Sequence, residues 1–379
     1  MKQQLLLVVL LVFVAAAGFL FVKNFSRETV WRPGTPLDKE RVKVGVIFFS
    51  DAANATSGYT YAHDMGIREM QRAVGLRDDQ IIRKYNVSDL SKSEIEHAMR
   101  ECVSDGANII IATSWGYMDI CERMAVEFPG VIFAHASGFK RNETNFTNYF
   151  GRFYQPRYLS GIAAGLVTTS NKIGYVAAMG RDNSEVTCGL DAFAIGVESV
   201  NPDARIYVRV TNRWFDPKGE AQAARYLIEN GVDIIAQDTD TPNPQIEAQA
   251  AGILGIGYNN DMKSDAPKAT ITSVVWNWSA YYIPLLESVI DGTFTTKPYY
   301  GGIKEGLADL SPLDESLVPP GVAKAVAAAR ERMESGEFDV FEGVMETNDG
   351  RLVGAEGQRL SDKEITGGMN WYYRNIIEP

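Results

Sequence analysis

From Arg41 onward the chain repeats one unit: a short apolar, β-branched run, a polar or glycine-rich loop, then an amphipathic helix. The runs are Val42–Phe49, Gln80–Tyr85, Ala107–Thr113, Gly130–Ala136, Lys172–Ala178, Ala204–Thr211, Val232–Gln237, Gly252–Tyr258 and Ala269–Val275. Near-continuous apolar runs of this length are strands buried on both faces, which demands parallel sheets covered by helices, an α/β fold. The helices between them are legible. Ser91–Asp105 carries Ile95, Met99, Cys102 and Val103 on one stripe, and Ser93 with Glu96 reads as a capping box. Gly75, Gly106 and Gly231 fall just past helical stretches, where a left-handed residue ends a helix cheaply.

At 379 residues the chain is too long for one ordinary core, so two lobes are expected. The break falls near Tyr149–Phe153, where a strand runs into a helix at Gln155–Thr168, and the chain returns near Trp276–Tyr282. The expected organisation is 42–150 plus about 276–311 in the N-terminal lobe and 151–275 plus about 312–345 in the C-terminal lobe. A helix at Gly321–Ser335 follows Pro319-Pro320, and a polar, turn-rich tail over 346–379 packs on the body through Trp371-Tyr372-Tyr373.

The N-terminus sets the compartment. Met1-Lys2 precedes an apolar run from Leu5 to Val22, closed by Lys23 and Arg27. Residues 1–22 are therefore a signal peptide or a membrane anchor, with 23–41 as linker, and either places the body in the periplasm or elsewhere outside the cytoplasm. No cysteine lies near that run for lipid attachment. A net charge of −11 without a basic run argues against nucleic acid or an acidic membrane surface as partner, leaving the N-terminal segment as the membrane contact. Cys102, Cys121 and Cys188 match no metal spacing and read as small buried hydrophobes.

Ligands of open parallel sheets bind at the carboxyl ends of the strands. There the sequence places aromatic residues beside amides and carboxylates: Gly58-Tyr59-Thr60-Tyr61, Ser114-Trp115-Gly116-Tyr117, Arg213-Trp214-Phe215-Asp216, Asp238-Thr239-Asp240, Asn259-Asn260-Asp261 and Trp276-Asn277-Trp278. Flat heteroaromatic rings suit that mixture, and sugars accept it too. Catalytic readings fare poorly. His63, His97 and His135 stand alone, and no nucleophile elbow, zinc motif or phosphate loop occurs, so neither an enzyme nor a cofactor is expected.

Several blocks, in order, resemble the basic membrane protein family of substrate-binding lipoproteins, in its purine- and nucleoside-binding branch. They are Gly58-Tyr59-Thr60-Tyr61-Ala62-His63-Asp64-Met65-Gly66, Thr113-Ser114-Trp115-Gly116-Tyr117-Met118, Phe153-Tyr154-Gln155-Pro156-Arg157-Tyr158, Trp214-Phe215-Asp216-Pro217, Ile256-Gly257-Tyr258-Asn259-Asn260-Asp261-Met262 and Trp276-Asn277-Trp278. The resemblance implies a two-lobed type I periplasmic-binding-protein fold with a hinge of three crossings, acting as a monomer with the permease and ATPase subunits of an ABC importer. It implies ligand contacts from Tyr59, Tyr61, Trp214 and Asp261, with Asp240 as the alternative acid. Trp115 and Tyr154, at their own strand ends, complete the expected ligand set. The other readings are the same fold holding a sugar or other metabolite, and a membrane-tethered ligand sensor domain.

Overall fold

A computed structural model describes residues 31–51 and 56–378. The expected signal or anchor at 1–22, the start of the linker and part of the first strand-end loop lie outside the described residues.

Two sheets carry the fold. The first has six parallel strands in the order β11-β5-β4-β3-β1-β2. These are β1 (Val44–Ile47), β2 (Ile81–Lys84), β3 (Ile109–Ala112), β4 (Ile132–Ala136), β5 (Phe146–Gly151) and β11 (Tyr299–Gly301). Its helices are α1 (Tyr59–Val74), α2 (Lys92–Ser104), α3 (Met118–Glu127) and α8 (Ser279–Asp291). β3 shows why the reading from apolar runs works: Ile109, Ile110, Ile111 and Ala112 are all buried, alternate side chains facing opposite helix layers. Each such isoleucine contributes about 1.5–3 kcal/mol of burial.

The second sheet, in the order β12-β10-β9-β8-β6-β7-β15, is parallel except where β12 joins β10. It comprises β6 (Lys172–Ala177), β7 (Arg205–Val210), β8 (Ile234–Gln237), β9 (Leu254–Asn259), β10 (Thr270–Trp276), β12 (Ala308–Leu310) and β15 (Ile376–Ile377). Helices α4 (Tyr154–Val167), α5 (Ser184–Glu198), α6 (Pro217–Glu229), α7 (Asn243–Ala251) and α9 (Val322–Glu334) accompany it.

The chain passes between the sheets three times: β5 to α4, β10 to α8, and β11 to β12. The first two crossings pack ring on ring. Trp276 stacks on Trp278 at 4.6 Å, and Phe150 and Phe153 lie 5.0 and 5.5 Å from Trp276. Arg152 ties the crossings together, donating from Nη1 to the Tyr300 carbonyl at 2.7 Å and through Nε and Nη2 to both carboxylate oxygens of Asp362.

Three expectations need correction. β12 pairs with β10, so the segment 276–311 is shared between the sheets rather than held by the first, because Val274, Val275 and Trp276 offer a free edge. The tail is not only turns: it forms a hairpin of β13 (Glu342–Glu346) and β14 (Leu352–Arg359), helix α10 (Asp362–Gly368) and β15 at the edge of the second sheet. The cap of α2 is Ser91, whose Oγ accepts from the Glu94 N–H, two residues before the expected box. Trp371, Tyr372 and Tyr373 are buried, and the Tyr373 N–H donates to Asp191 at 2.8 Å. All three cysteines are free and buried.

Candidate ligand-binding cleft

Each sheet reverses its strand order once, between β1 and β3 in the first and between β6 and β8 in the second. A crevice opens at such a point, and the loops above it converge on the cleft between the lobes.

From the first sheet come Tyr59 and its supports. Tyr59 opens α1, its ring edge-on to His63 at 4.4 Å and to Trp278 at 6.0 Å. His63 is fully buried, stacks on Trp278 at 4.0 Å and is hydrogen-bonded through Nδ1 to the Tyr282 hydroxyl at 2.5 Å. Burial pushes the His63 imidazole well below its usual range, so it is a neutral packing element. His135 behaves likewise: burial lowers it to about 4, and its Nε2 lies 2.8 Å from the Ser114 carbonyl.

The second sheet supplies the acids. The loop after β8 is wound around an amide: Gln237 Nε2 donates to the carbonyls of Thr239 and Thr241, and Gln245 fixes Gln237 Oε1 at 2.9 Å. Glu220 accepts from the Thr241 hydroxyl and N–H, closing the loop from below. Thus held, Asp240 receives Asn259 Nδ2 on Oδ1 at 2.9 Å, while its own N–H donates to the Trp214 carbonyl at 2.8 Å. Burial raises the Asp240 carboxyl well above the usual range, with Glu220 adding to the effect. Asp238 spans the β6–β8 reversal, its Oδ1 accepting the Ala178 N–H at 2.6 Å. Burial lifts Asp238 to about 7, opposed by Arg157. Glu185, in the first turn of α5, is lifted to about 8 by burial and then by the Asp238 charge.

Beneath them Arg157 is fully buried, its guanidinium 4.1 Å above the Tyr258 ring and Nη1 donating to the Gln237 carbonyl. Arg157 Nε and Nη2, Asp238 Oδ2, Asn259 Oδ1 and the Tyr175 hydroxyl are buried without a hydrogen-bond partner. Each unmade bond of this kind costs about 1–3 kcal/mol, more for charged groups, so a cluster of them marks a place built for something else to complete.

The lobes meet across this cluster. The Gly58 N–H donates to Asn260 Oδ1 at 2.7 Å, and the Thr56 hydroxyl to Asp265 at 3.1 Å. Gly58 has φ 104°, and a Cβ there would overlap the Asp240 carbonyl oxygen. Only glycine allows the first loop so close to the opposite lobe.

The expected site residues separate into groups. Tyr59 and Asp240 are brought together at the cleft; Tyr61 is half-buried on the same first turn of α1. Trp214 stands partly buried beside the Asp240 backbone. Trp115 is 54% exposed, 5.9 Å from the exposed Phe139, on the rim of a side groove of about 1360 Å³. Tyr154 is buried against Phe341 at 5.3 Å, where the hairpin tail covers the start of α4. Asp261 is exposed next to Asn260 at the lobe contact, its Oδ1 also capping a short turn through the Lys263 N–H. Sequence reasoning passed over Glu185, Arg157 and Tyr175. For Glu185 a signal existed, since Gly180–Glu185 follows the Lys172–Ala178 run just as the other loops follow theirs. No group of acids, histidines or cysteines among the described residues could hold a metal, and no described helix is long and apolar enough to cross a membrane.

Two helix-covered parallel sheets joined by three crossings define a periplasmic-binding-protein-like α/β fold. The chain belongs to the family described as ABC transporter substrate-binding protein PnrA-like, whose model matches residues 43–325. Proteins of this kind sit outside the cytoplasm and hand small molecules to permease and ATPase subunits. A purine-binding protein of Brucella abortus is 34% identical over 338 residues, covering 89% of this chain and 93% of its own. A putative ABC transporter glucose-binding protein of Haloferax volcanii is 34% identical over 310 residues, covering 82% and 76%. Solved solute-binding proteins from Conexibacter woesei and Aeropyrum pernix share the fold, with TM-scores of 0.65 and 0.67 at 22% and 18% identity. They cover 79% of this chain in each case, and 98% and 92% of their own.

Proposed function

We propose that the chain is the extracytoplasmic receptor of an ABC importer for a purine base or nucleoside, held in the cleft between the lobes. The observation that carries this reading is the set of unpartnered polar atoms around Asp238, Arg157 and Asn259, set beside the Tyr59 and Tyr258 rings. A purine offers two π-faces and an edge of fixed donors and acceptors, which matches such a set. The purine-binding relative from Brucella supports the same ligand class.

In this reading Tyr59 packs on the base, with Tyr61 and Trp214 flanking the mouth, and Asp240 and Asp238 accept its N–H groups. Ligand bridging both lobes favours the closed arrangement by its differential affinity for that state. The N-terminal apolar run delivers the body across the membrane or tethers it there.

Glucose or another sugar is the second reading, favoured by the Haloferax relative. A thermal-shift panel of purine bases, nucleosides and sugars separates the two, since only a ligand of the native state raises the unfolding temperature. Stabilisation by purines and not by glucose is the expected result; the reverse pattern removes the purine assignment.

A further inference from the structure

Among the unpartnered groups, an acid and a base are set against one another. Asp238 is 3% exposed; its Oδ1 takes the Ala178 N–H, while its Oδ2 has no partner in full hydrogen-bond geometry and faces the equally unpartnered Tyr175 hydroxyl. Arg157 is 0% exposed and uses only Nη1, leaving donors at Nε and Nη2. Among the described residues no carboxylate lies within ion-pair distance of that guanidinium. A buried charge left this way is costly unless something else completes it. Both side chains are locked: Arg157 by its Tyr258 stack and the Gln237 carbonyl, Asp238 by the Ala178 N–H. They cannot readily turn to find each other, so they are preorganised to face a third party.

We propose that Asp238 and Arg157 set the ligand edge the cleft accepts, selecting a 6-oxopurine such as hypoxanthine or guanine over adenine. The inference rests on the purine reading above. A 6-oxopurine presents an N–H donor at N1 beside a carbonyl acceptor at O6. Asp238 Oδ2 accepts the first, and the free guanidinium N–H groups donate to the second, as arginine does to guanine O6 and N7 elsewhere. Adenine reverses both signs at those positions: N1 is a lone pair and the exocyclic group a donor. Facing Asp238 and Arg157, it would set acceptor against acceptor and donor against donor. Asn259 Oδ1, also unpartnered, adds a further acceptor, which the 2-amino group of guanine could use.

The test is calorimetric titration of wild type and Asp238→Asn with hypoxanthine, guanine and adenine. Asparagine keeps the Oδ1 acceptor for Ala178 but turns the free acceptor into a donor. In wild type, hypoxanthine is expected to bind at least about tenfold more tightly than adenine. In Asp238→Asn that ratio should drop at least about tenfold, because the new donor matches adenine N1 and opposes the oxopurine N1–H. A ratio of affinities is read within one protein, so a partly destabilised variant does not confuse it. Should the variant fail to fold, the wild-type ratio alone decides. Equal binding of hypoxanthine and adenine by wild type, or a ratio unmoved by Asp238→Asn, overturns the assignment and leaves purine binding standing. Absence of binding by all three bases and by inosine, guanosine and adenosine removes both readings.

Discussion

The two walls of the cleft are made of different chemistry. The first sheet contributes rings: Tyr59 edge-on to His63 and Trp278, with the Tyr282 hydroxyl hydrogen-bonded to His63 Nδ1. The second adds the Tyr258 and Trp214 rings but is distinguished by carboxylates, an amide and a guanidinium, several without partners. Rings reward any flat or apolar surface, each well-placed pair giving about 0.5–1.5 kcal/mol beyond its buried area. Polar groups that lose water and gain nothing cost about 1–3 kcal/mol each. The ring wall therefore gives affinity that is tolerant of ligand identity, and the polar wall gives the power to refuse.

That division can be broken in order of expected effect. The largest consequence comes from preventing the walls from meeting. Gly58→Ala places a Cβ against the Asp240 carbonyl at a φ that alanine resists, so closure should fail and affinity drop about tenfold to a hundredfold. X-ray scattering should then show no compaction with ligand. A variant that still closes and binds as wild type would mean that the Gly58 contact is incidental.

The ring wall is probed next. Tyr59→Ala should weaken every flat ligand by a similar factor, roughly threefold to tenfold, leaving the oxopurine-to-adenine ratio unchanged. Trp115→Ala, on the exposed rim, should change affinity by less than about twofold. Selectivity lost with Tyr59, or a large effect at Trp115, would contradict the division of labour.

The smallest effect is in the unliganded protein. Glu185 holds its proton to about 8 when folded against an ordinary 4.5. Between those values the native chain binds more protons than the unfolded one, so this group's contribution to stability falls as pH rises. Glu185→Gln removes that loss. Its unfolding temperature relative to wild type should climb by a few degrees from about pH 5 to about pH 8. A constant offset across that range would show that Glu185 is well solvated. The buried histidines act in both proteins alike and cancel from the difference.

Much of the fold was legible because its strands are long, apolar and evenly spaced. Each of the nine runs read from the sequence overlaps a strand, and helices predicted at 155–168 and 321–335 begin and end within a residue of α4 and α9. Three edge strands escaped for a physical reason. β11 and β12 have three residues each and β15 has two, too few for any period to show, and they exist only because a neighbouring strand offers an edge. The β13–β14 hairpin is largely exposed, so it carries no apolar alternation.

The cleft was half legible. Tyr59 and Asp240, named through the family resemblance, both follow strands at the strand-order reversals, Tyr59 as the first residue of α1 and Asp240 in the loop after β8. Tyr154 packs in the core against Phe341, which arrives from far along the chain, and a ring in a core looks the same in sequence as a ring in a site. Asp261 is exposed beside Asn260, and its carboxylate also caps a short turn, a local use that the sequence does not separate from a ligand contact. Arg157 was invisible for the opposite reason: it lies mid-helix, and only the fold brings it under Tyr258 and beside the end of β8.

The most direct measurement is a crystal structure of the exported body grown with hypoxanthine. The base should lie between the lobes, its face against Tyr59, N1 within hydrogen-bond distance of Asp238 and O6 within reach of Arg157. Density for the base only in the side groove near Trp115 and Phe139, or a sugar occupying the cleft in its place, would contradict the account.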